Sequence, residues 1–320
     1  MNLPPYADLK QRTDAPAGSS WGLLGDLGTI GRIGPEQARR AATLVRTGDV
    51  FRLDWPVNAF DPPLSPARQS ARHVVYQRNP NHREDYLDGF YLQGTSQLDG
   101  LRHQRHPTAG FYNFARDEEV QAGSGPIGIE QWAAHGVAGR GVLIDVDRFL
   151  RVNRGSGLDH RGGEPFAATV LDETLAWQGA ELEYGDILLI RTGWAEFYFT
   201  ELTQAERDAM PGHYCSPGLE QSEASLAWLW DSGAGLVAAD NVGVEVLPAV
   251  PGSPFTAIDP TGMMHAPMIA LLGLALGELW KLDALGTACA ADRRYEMLLS
   301  CAPLNLPGGV GSPANAIAVR

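Results

Sequence analysis

Three short apolar runs constrain this chain more than any other feature: G-R-G-V-L-I-D-V at 139–146, I-L-L-I-R-T-G-W at 187–194 and G-L-V-A-A-D-N at 235–241. Each has the length of a strand and shows no polar alternation, the pattern of a strand covered on both faces. Residues at helical spacing separate them. F-A-A-T-V-L-D-E-T-L-A-W-Q-G (166–179) reads as a helix ended by Gly179, and S-P-G-L (216–219) introduces another through S-L-A-W-L-W-D-S-G. Upstream, Pro35 opens a helix over 35–45, 47–56 and 72–78 read as strands, a polar turn falls at 81–85, and 128–137 is a short helix closed by Gly136. Strand and helix alternate, so the expectation is an α/β fold with a mixed sheet and flanking helices, not a bundle or a sandwich. No linker, repeat or low-complexity tract divides the chain. We expect one domain over 21–320, preceded by an irregular Pro/Ala/Gly/Ser-rich arm over 1–20.

Composition narrows the function classes. The chain has 320 residues, 44% apolar and 20% charged, as a soluble globular protein would. Its net charge of −13 disfavours nucleic acid and anionic membranes as partners. Cys215, Cys289 and Cys301 form no Cys-x-x-Cys pair and are expected to be buried thiols. No basic start followed by an apolar run is seen, and the longest apolar stretch, near 268–276, is too short to cross a bilayer. The expected location is the cytoplasm. No Gly-x-Gly-x-x-Gly follows a strand, which disfavours a nicotinamide or nucleotide enzyme. The Gly/Pro-rich segment after Cys301 lacks a phosphate-loop lysine and reads as a structural turn.

The chemistry concentrates in Q-G-T-S-Q-L-D-G-L-R-H-Q-R-H, residues 93–106. Gln93, Gln97, Asp99 and His103 keep spacings of four and two, which place side chains together on a helical face or along a strand. Such a cluster serves a metal or a proton-transfer site. The plain alternative is a polar surface loop. Far downstream, His265 and Glu278 stand thirteen residues apart across a hydrophobic stretch, where each could equally be a hydrogen-bonded core residue. His106 reads as structural or substrate-facing, and His73, His82, His135, His160 and His213 lie outside any motif. Asp240 ends a strand of the α/β sheet, where ligands often bind, though helix capping suits it as well. Trp21, Phe111, Tyr112 and Trp194 either wall a substrate pocket or belong to the core.

These residues resemble the cyclase-like hydrolase family, which includes bacterial kynurenine formamidases and isatin hydrolases. Its signature, His-x-Gly-Thr-His-x-Asp-x-x-x-His followed by a distant His and Glu, falls on Gln93, Gln97, Asp99, His103, His265 and Glu278. G-D-I-L-L-I-R-T-G-W, S-P-G-L and A-D-N-V-G-V-E also match, and the likeness runs over about residues 20–320. Two signature imidazoles are replaced by Gln93 and Gln97, as in a longer-chain branch of the family. The resemblance implies a swivelling β/β/α domain, a homo-oligomer (dimer or tetramer) and a small-molecule substrate. It implies a divalent metal, Zn or Mn, held by Asp99, His265 and Glu278 with Gln97 as a weak fourth ligand. His103 would be the acid/base beside Asp99, with Gln93 positioning water or substrate. The implied reaction is hydrolysis of a non-peptide carbon–nitrogen bond in a small cyclic or aromatic amide, formamide or lactam. Lactone hydrolysis or cyclisation on the same site, or a catalytically silent binding protein, are the alternatives.

Overall fold

The computed structural model describes residues 3–123 and 125–320. Its strands are β1 (Val50–Arg52), β2 (Arg72–Asn79), β3 (His82–Asp88), β4 (Gln97–Asp99), β5 (Val137–Asp145), β6 (Pro165–Phe166), β7 (Ile187–Arg191), β8 (Gly218–Leu219), β9 (Leu236–Ala239), β10 (Leu276–Glu278), β11 (Glu296–Cys301), β12 (Gly311–Pro313) and β13 (Ile317–Val319). The helices are α1 (Tyr6–Leu9), α2 (Pro35–Ala42), α3 (Ile129–His135), α4 (Val146–Arg154), α5 (Ala168–Gln178), α6 (Trp194–Thr200), α7 (Gln204–Asp208), α8 (Glu223–Asp231) and α9 (Asp283–Asp292).

The three apolar runs are β5, β7 and β9, and they lie side by side in parallel. Val142, Leu143, Ile144, Ile187 to Ile190 and Leu236 to Ala239 are at most 1% exposed, so both faces are covered, as their composition demands. β10 extends the parallel group, and antiparallel strands flank it on both sides, giving the order β1-β13-β11-β5-β7-β9-β10-β4-β12. The expected mixed α/β sheet with flanking helices is therefore what forms. No helix among the described residues is long and apolar enough to cross a membrane.

Several local expectations change. The arm over 1–20, whose first two residues lie outside the described range, is irregular apart from one short helix. This is α1, with Leu9 fully buried and Tyr6 bonded through its amide to Asp231 and through its hydroxyl to Glu223 on α8. Apolar burial against α8 outweighs the Pro and Gly around it. The polar stretch 81–85 is no turn beyond Asn81. His82 onward pairs with β2, because the Arg72–Asp88, His73–Asp85 and Arg78–Glu84 pairs suit cross-strand contact. Gly218–Leu219 is strand, not helix start, and within the Gly/Pro segment Gly311–Pro313 is strand β12.

The carboxyl ends of the parallel strands carry a buried ionic network. Arg191 at the end of β7 reaches Asp145 at 2.9 Å and Glu196 at 2.6 Å, and lies 4.0 Å from Asp283. Burial, aided by the charges of Asp240 and Glu196, pushes the Asp283 carboxyl up to about 7 despite Arg191. A folded-state pKa above the ordinary value near 4 means the native state holds the proton longer than the unfolded chain does. This contribution is complete below about pH 4 and is lost as the pH rises towards 7, at about 1.4 kcal/mol per unit of displacement. Asp283→Asn is expected to raise the melting temperature more at pH 7.5 than at pH 5, measured by calorimetry at both values.

Candidate active site

β4 places the first part of the site. Side chains alternate along a strand, so Gln97 and Asp99 share one face while Leu98 packs, fully buried, on the other. In the antiparallel register Gln97 stands opposite Glu278 on β10, and Asp99 opposite Leu276. Glu278 thus joins the same face. Gly100 follows because a Cβ there would lie 2.6 Å from the carbonyl oxygen of Val310. That close approach lets the chain turn at once and carry His103 back to within 3.9 Å of Asp99. The Gln93 amide nitrogen donates to His103 Nδ1 at 3.0 Å and lies 3.5 Å from Asp99 Oδ1. Gly311 leaves room for it, since a Cβ there would be 3.0 Å from that nitrogen. An amide presents both a donor and an acceptor, so Gln93 can serve His103 in either protonation state.

His265 arrives from another direction, directly before a π-helical turn, Pro267–Leu271, of the kind often found at functional sites. Its Nε2 bonds Glu278 Oε1 at 2.9 Å, and its Nδ1 makes a very short bond to Glu245. Glu245 is fixed in turn by Gln221 at 2.7 Å and the Met264 amide at 2.8 Å. Gln97 donates to Glu278 Oε2 at 2.7 Å. Burial would lower the His265 pKa, but the bonds to Glu245 and Glu278 outweigh it and hold the imidazole well above its ordinary value. Burial raises the Asp99 carboxyl against the pull of His103. Burial would raise Glu278 too, yet its bond to His265 brings it below the usual range.

One atom each from Asp99, His265 and Glu278 lies within 4.8 Å of the others, and all three residues are buried. Gln97 Oε1 and Asp99 Oδ2 are buried acceptors with no hydrogen-bond partner. Leaving such atoms dry and unpaired is costly. Two carboxylates, an imidazole and an amide oxygen form a hard, mainly oxygen donor set that suits a divalent cation. The residues present therefore fit a metal ion, which Asp99, His265 and Glu278 would hold, with the open Gln97 oxygen on the same strand as Asp99.

The structure brings together Gln93, Gln97, Asp99, His103, His265 and Glu278, and leaves the expected aromatic wall and Asp240 elsewhere. A cavity of about 450 Å³ opens beside the cluster, lined by Leu64, Arg68, Tyr214, Leu247 and Met263 together with Gln97, His103, His265 and Glu278. Trp21 is core, and its indole donates to the Ala270 carbonyl behind the turn that carries His265. Tyr112 is fully buried against Gly273 and bonds Ser20, and Phe111 packs on the same core. Trp194 is core as well, bonded to the Cys215 carbonyl. Asp240 is consumed structurally, since its two oxygens accept from Thr192 and from the Gly193 amide at 2.7–2.8 Å. Burial raises it to about 6. His106 bonds its own loop through Thr108 and Ala109. Sequence reasoning missed Glu245, Arg68 and Tyr214. Glu245 ends the A-D-N-V-G-V-E run, but no spacing ties it to His265.

Residues 36–246 match the family described as "Putative cyclase". A crystal structure of a novel cyclase is 30% identical with a TM-score of 0.79, covering 94% of this chain and 99% of its own. Isatin hydrolase A from Labrenzia aggregata, solved with benzyl benzoate, is 15% identical with a TM-score of 0.56, covering 87% of this chain and 94% of its own. Isatin hydrolase A from Ralstonia solanacearum is 15% identical with a TM-score of 0.55, covering 85% and 92%. At such identity the two isatin hydrolases speak for the fold alone. No curated protein matches the chain.

Glu245→Gln removes the carboxylate that orients and polarises His265. A lost partner of this kind typically costs about 10–100-fold in metal affinity. That drop is the expected result in competition titrations with a fluorescent chelator, while the circular dichroism spectrum stays unchanged.

Proposed function

The chain belongs to the putative cyclase family, and from that membership and the buried cluster we propose a metal-assisted hydrolase. Its reaction would cut a non-peptide carbon–nitrogen bond in a small cyclic or aromatic amide, formamide or lactam. The observation that carries this reading is the buried Asp99–His265–Glu278 group, whose donor atoms lie within 4.8 Å of one another, with the unpartnered oxygens Asp99 Oδ2 in it and Gln97 Oε1 on the same strand. A divalent ion there, zinc or manganese, would supply Lewis acidity, polarising a carbonyl and lowering the pKa of water towards ~7. His103 stands at the mouth of the cluster with a quarter of its side chain exposed, within reach of both substrate and solvent. It would take a proton from the attacking water and return one to the leaving nitrogen as the carbon–nitrogen bond breaks. Gln93 holds the ring in place for both transfers. The buried Glu245–His265–Glu278–Gln97 chain of hydrogen bonds fixes the floor against which the carbonyl would lie.

That same chain supports one competing reading. His265 between two carboxylates balances charge without any metal, as a catalytically silent small-molecule binding protein would require. A lactone hydrolase or cyclase would use the hydrolytic parts unchanged.

We also propose a homo-oligomer, a dimer or tetramer. β2 and β3 form a two-stranded sheet apart from the main one, with Val75, Tyr76, Tyr86 and Leu87 exposed. A lone hairpin of this kind is marginal in water. It carries Arg72, Arg78 and Arg83 against Glu84, Asp85 and Asp88, and is neutral in a chain of net charge −13. Two copies could therefore meet there with little repulsion. A cytoplasmic location fits the three free cysteines.

Plasma mass spectrometry on untagged protein is expected to find about one metal equivalent, lost in Asp99→Ala and His265→Ala. No metal after zinc and manganese are both supplied leaves the binding protein. In the loaded enzyme His103→Ala is expected to lower kcat by about 10²–10⁴ with metal retained. Light scattering is expected to give at least a dimer for the wild type and a monomer for Val75→Glu/Leu87→Glu with an unchanged circular dichroism spectrum; a wild-type monomer removes the oligomer.

A further inference from the structure

We propose that Arg68 is an anion-recognition residue and that the substrate carries a carboxylate apart from the bond that is cut. The inference rests on the hydrolase reading for the position of that bond and adds the chemical class of the substrate.

Arg68 is half-buried in the wall of the cavity whose floor is Gln97, His265 and Glu278. Among the described residues lining that cavity it is the one Arg or Lys. Elsewhere Arg140, Arg191 and Arg320 each lie against a carboxylate. Arg32 instead donates to the carbonyls of Trp230 and Ala234 and lies over the Trp230 ring. Arg68 has no Asp or Glu ion-pair partner among the described residues. One guanidinium nitrogen donates to the Gln93 carbonyl, which anchors the side chain while leaving further donors. A guanidinium has five donors in a rigid fork that matches a carboxylate bidentately.

The rest of the wall defines what lies between. Leu64, Val242, Leu247, Met263 and Leu279 form an apolar stretch beside both the floor and Arg68. A fitting substrate has its carboxylate at Arg68, an apolar ring or chain along this wall, and its amide carbonyl at the floor. Hydrolysis adds the water oxygen to the carbonyl carbon and a proton to the departing nitrogen. The acid released at the floor is thus a new carboxylate, and the one at Arg68 passes through unchanged.

Arg68 also braces the backbone of Gln93, whose amide holds His103, so a purely structural role has to be told apart. The probes are ortho-, meta- and para-formamidobenzoate, each beside the matching formamidobenzamide, and the corresponding aminobenzoates and aminobenzamides for calorimetric binding. Wild type, Arg68→Met and Arg68→Lys are compared after metal is supplied. At least one aminobenzoate is expected to bind wild type tenfold or more tighter than its amide, with the preference abolished in Arg68→Met and reduced in Arg68→Lys. In Arg68→Met the KM of its formamide should rise at least tenfold more than that of the neutral partner, while any loss of the Gln93 brace lowers kcat for both alike. Equal behaviour of every pair, whether both bind or neither does, overturns the proposal. So does a preference that survives Arg68→Met, which would put the carboxylate on the floor, or an equal loss for both members, which would make Arg68 only a brace. Arg68-dependent binding without turnover of any formamide removes the hydrolase reading and leaves the anion site. Turnover without preference does the reverse.

Discussion

The antiparallel pairing of β4 with β10 is the constraint on which the site depends. It joins segments 181 residues apart and sets Gln97 directly opposite Glu278. Because side chains alternate with a period of two, a slip of one residue would turn Gln97 and Asp99 into the core and Leu98 into the site. The fully buried Leu98 on the opposite face makes that slip costly, so hydrophobic packing on one side of the sheet fixes the register of polar groups on the other.

A second constraint is charge. Asp99, Glu245 and Glu278 are all buried around a single imidazole, an arrangement that is expensive unless each oxygen is paired. Gln221, the Met264 amide, Gln97 and His265 pair every oxygen of Glu245 and Glu278. Asp99 is the exception. Gln97 has a divided role, since its amide nitrogen holds Glu278 while its oxygen stays open.

Much of this was legible in the sequence. β5, β7 and β9 could be read because strands covered on both faces must be apolar throughout, and Gly136 and Gly179 end α3 and α5 in left-handed backbone, as glycine permits. The six residues of the cluster could be read from the motif that contains them. The aromatic residues could not, because a tryptophan against a cavity and one against a helix have the same surroundings in sequence. Trp21 and Tyr112 found partners more than 90 residues away. Asp240 looked like a ligand residue because it ends a parallel strand, but its neighbours Thr192 and Gly193 come from the adjacent strand end and were invisible to local spacing. Glu245 and Arg68 belong to loops, and only tertiary contact gives them a role.

The sheet order has a consequence for how the molecule is made. β12 and β13 are separated by three residues, yet they are seven positions apart in the nine-strand order. Laid flat, that separation would be roughly 34 Å at the usual strand spacing, whereas the connecting chain reaches at most about 15 Å. The sheet must therefore curl until its two margins nearly meet, and bonds from Leu53 and Asp54 to Ala316 hold the closing segment. A ribosome has to deliver residue 313 before β4 gains its second neighbour, so β4 remains an edge strand until the chain is almost complete. Contacts of such long sequence separation slow folding, and the closure that joins the two margins of the sheet is of this kind.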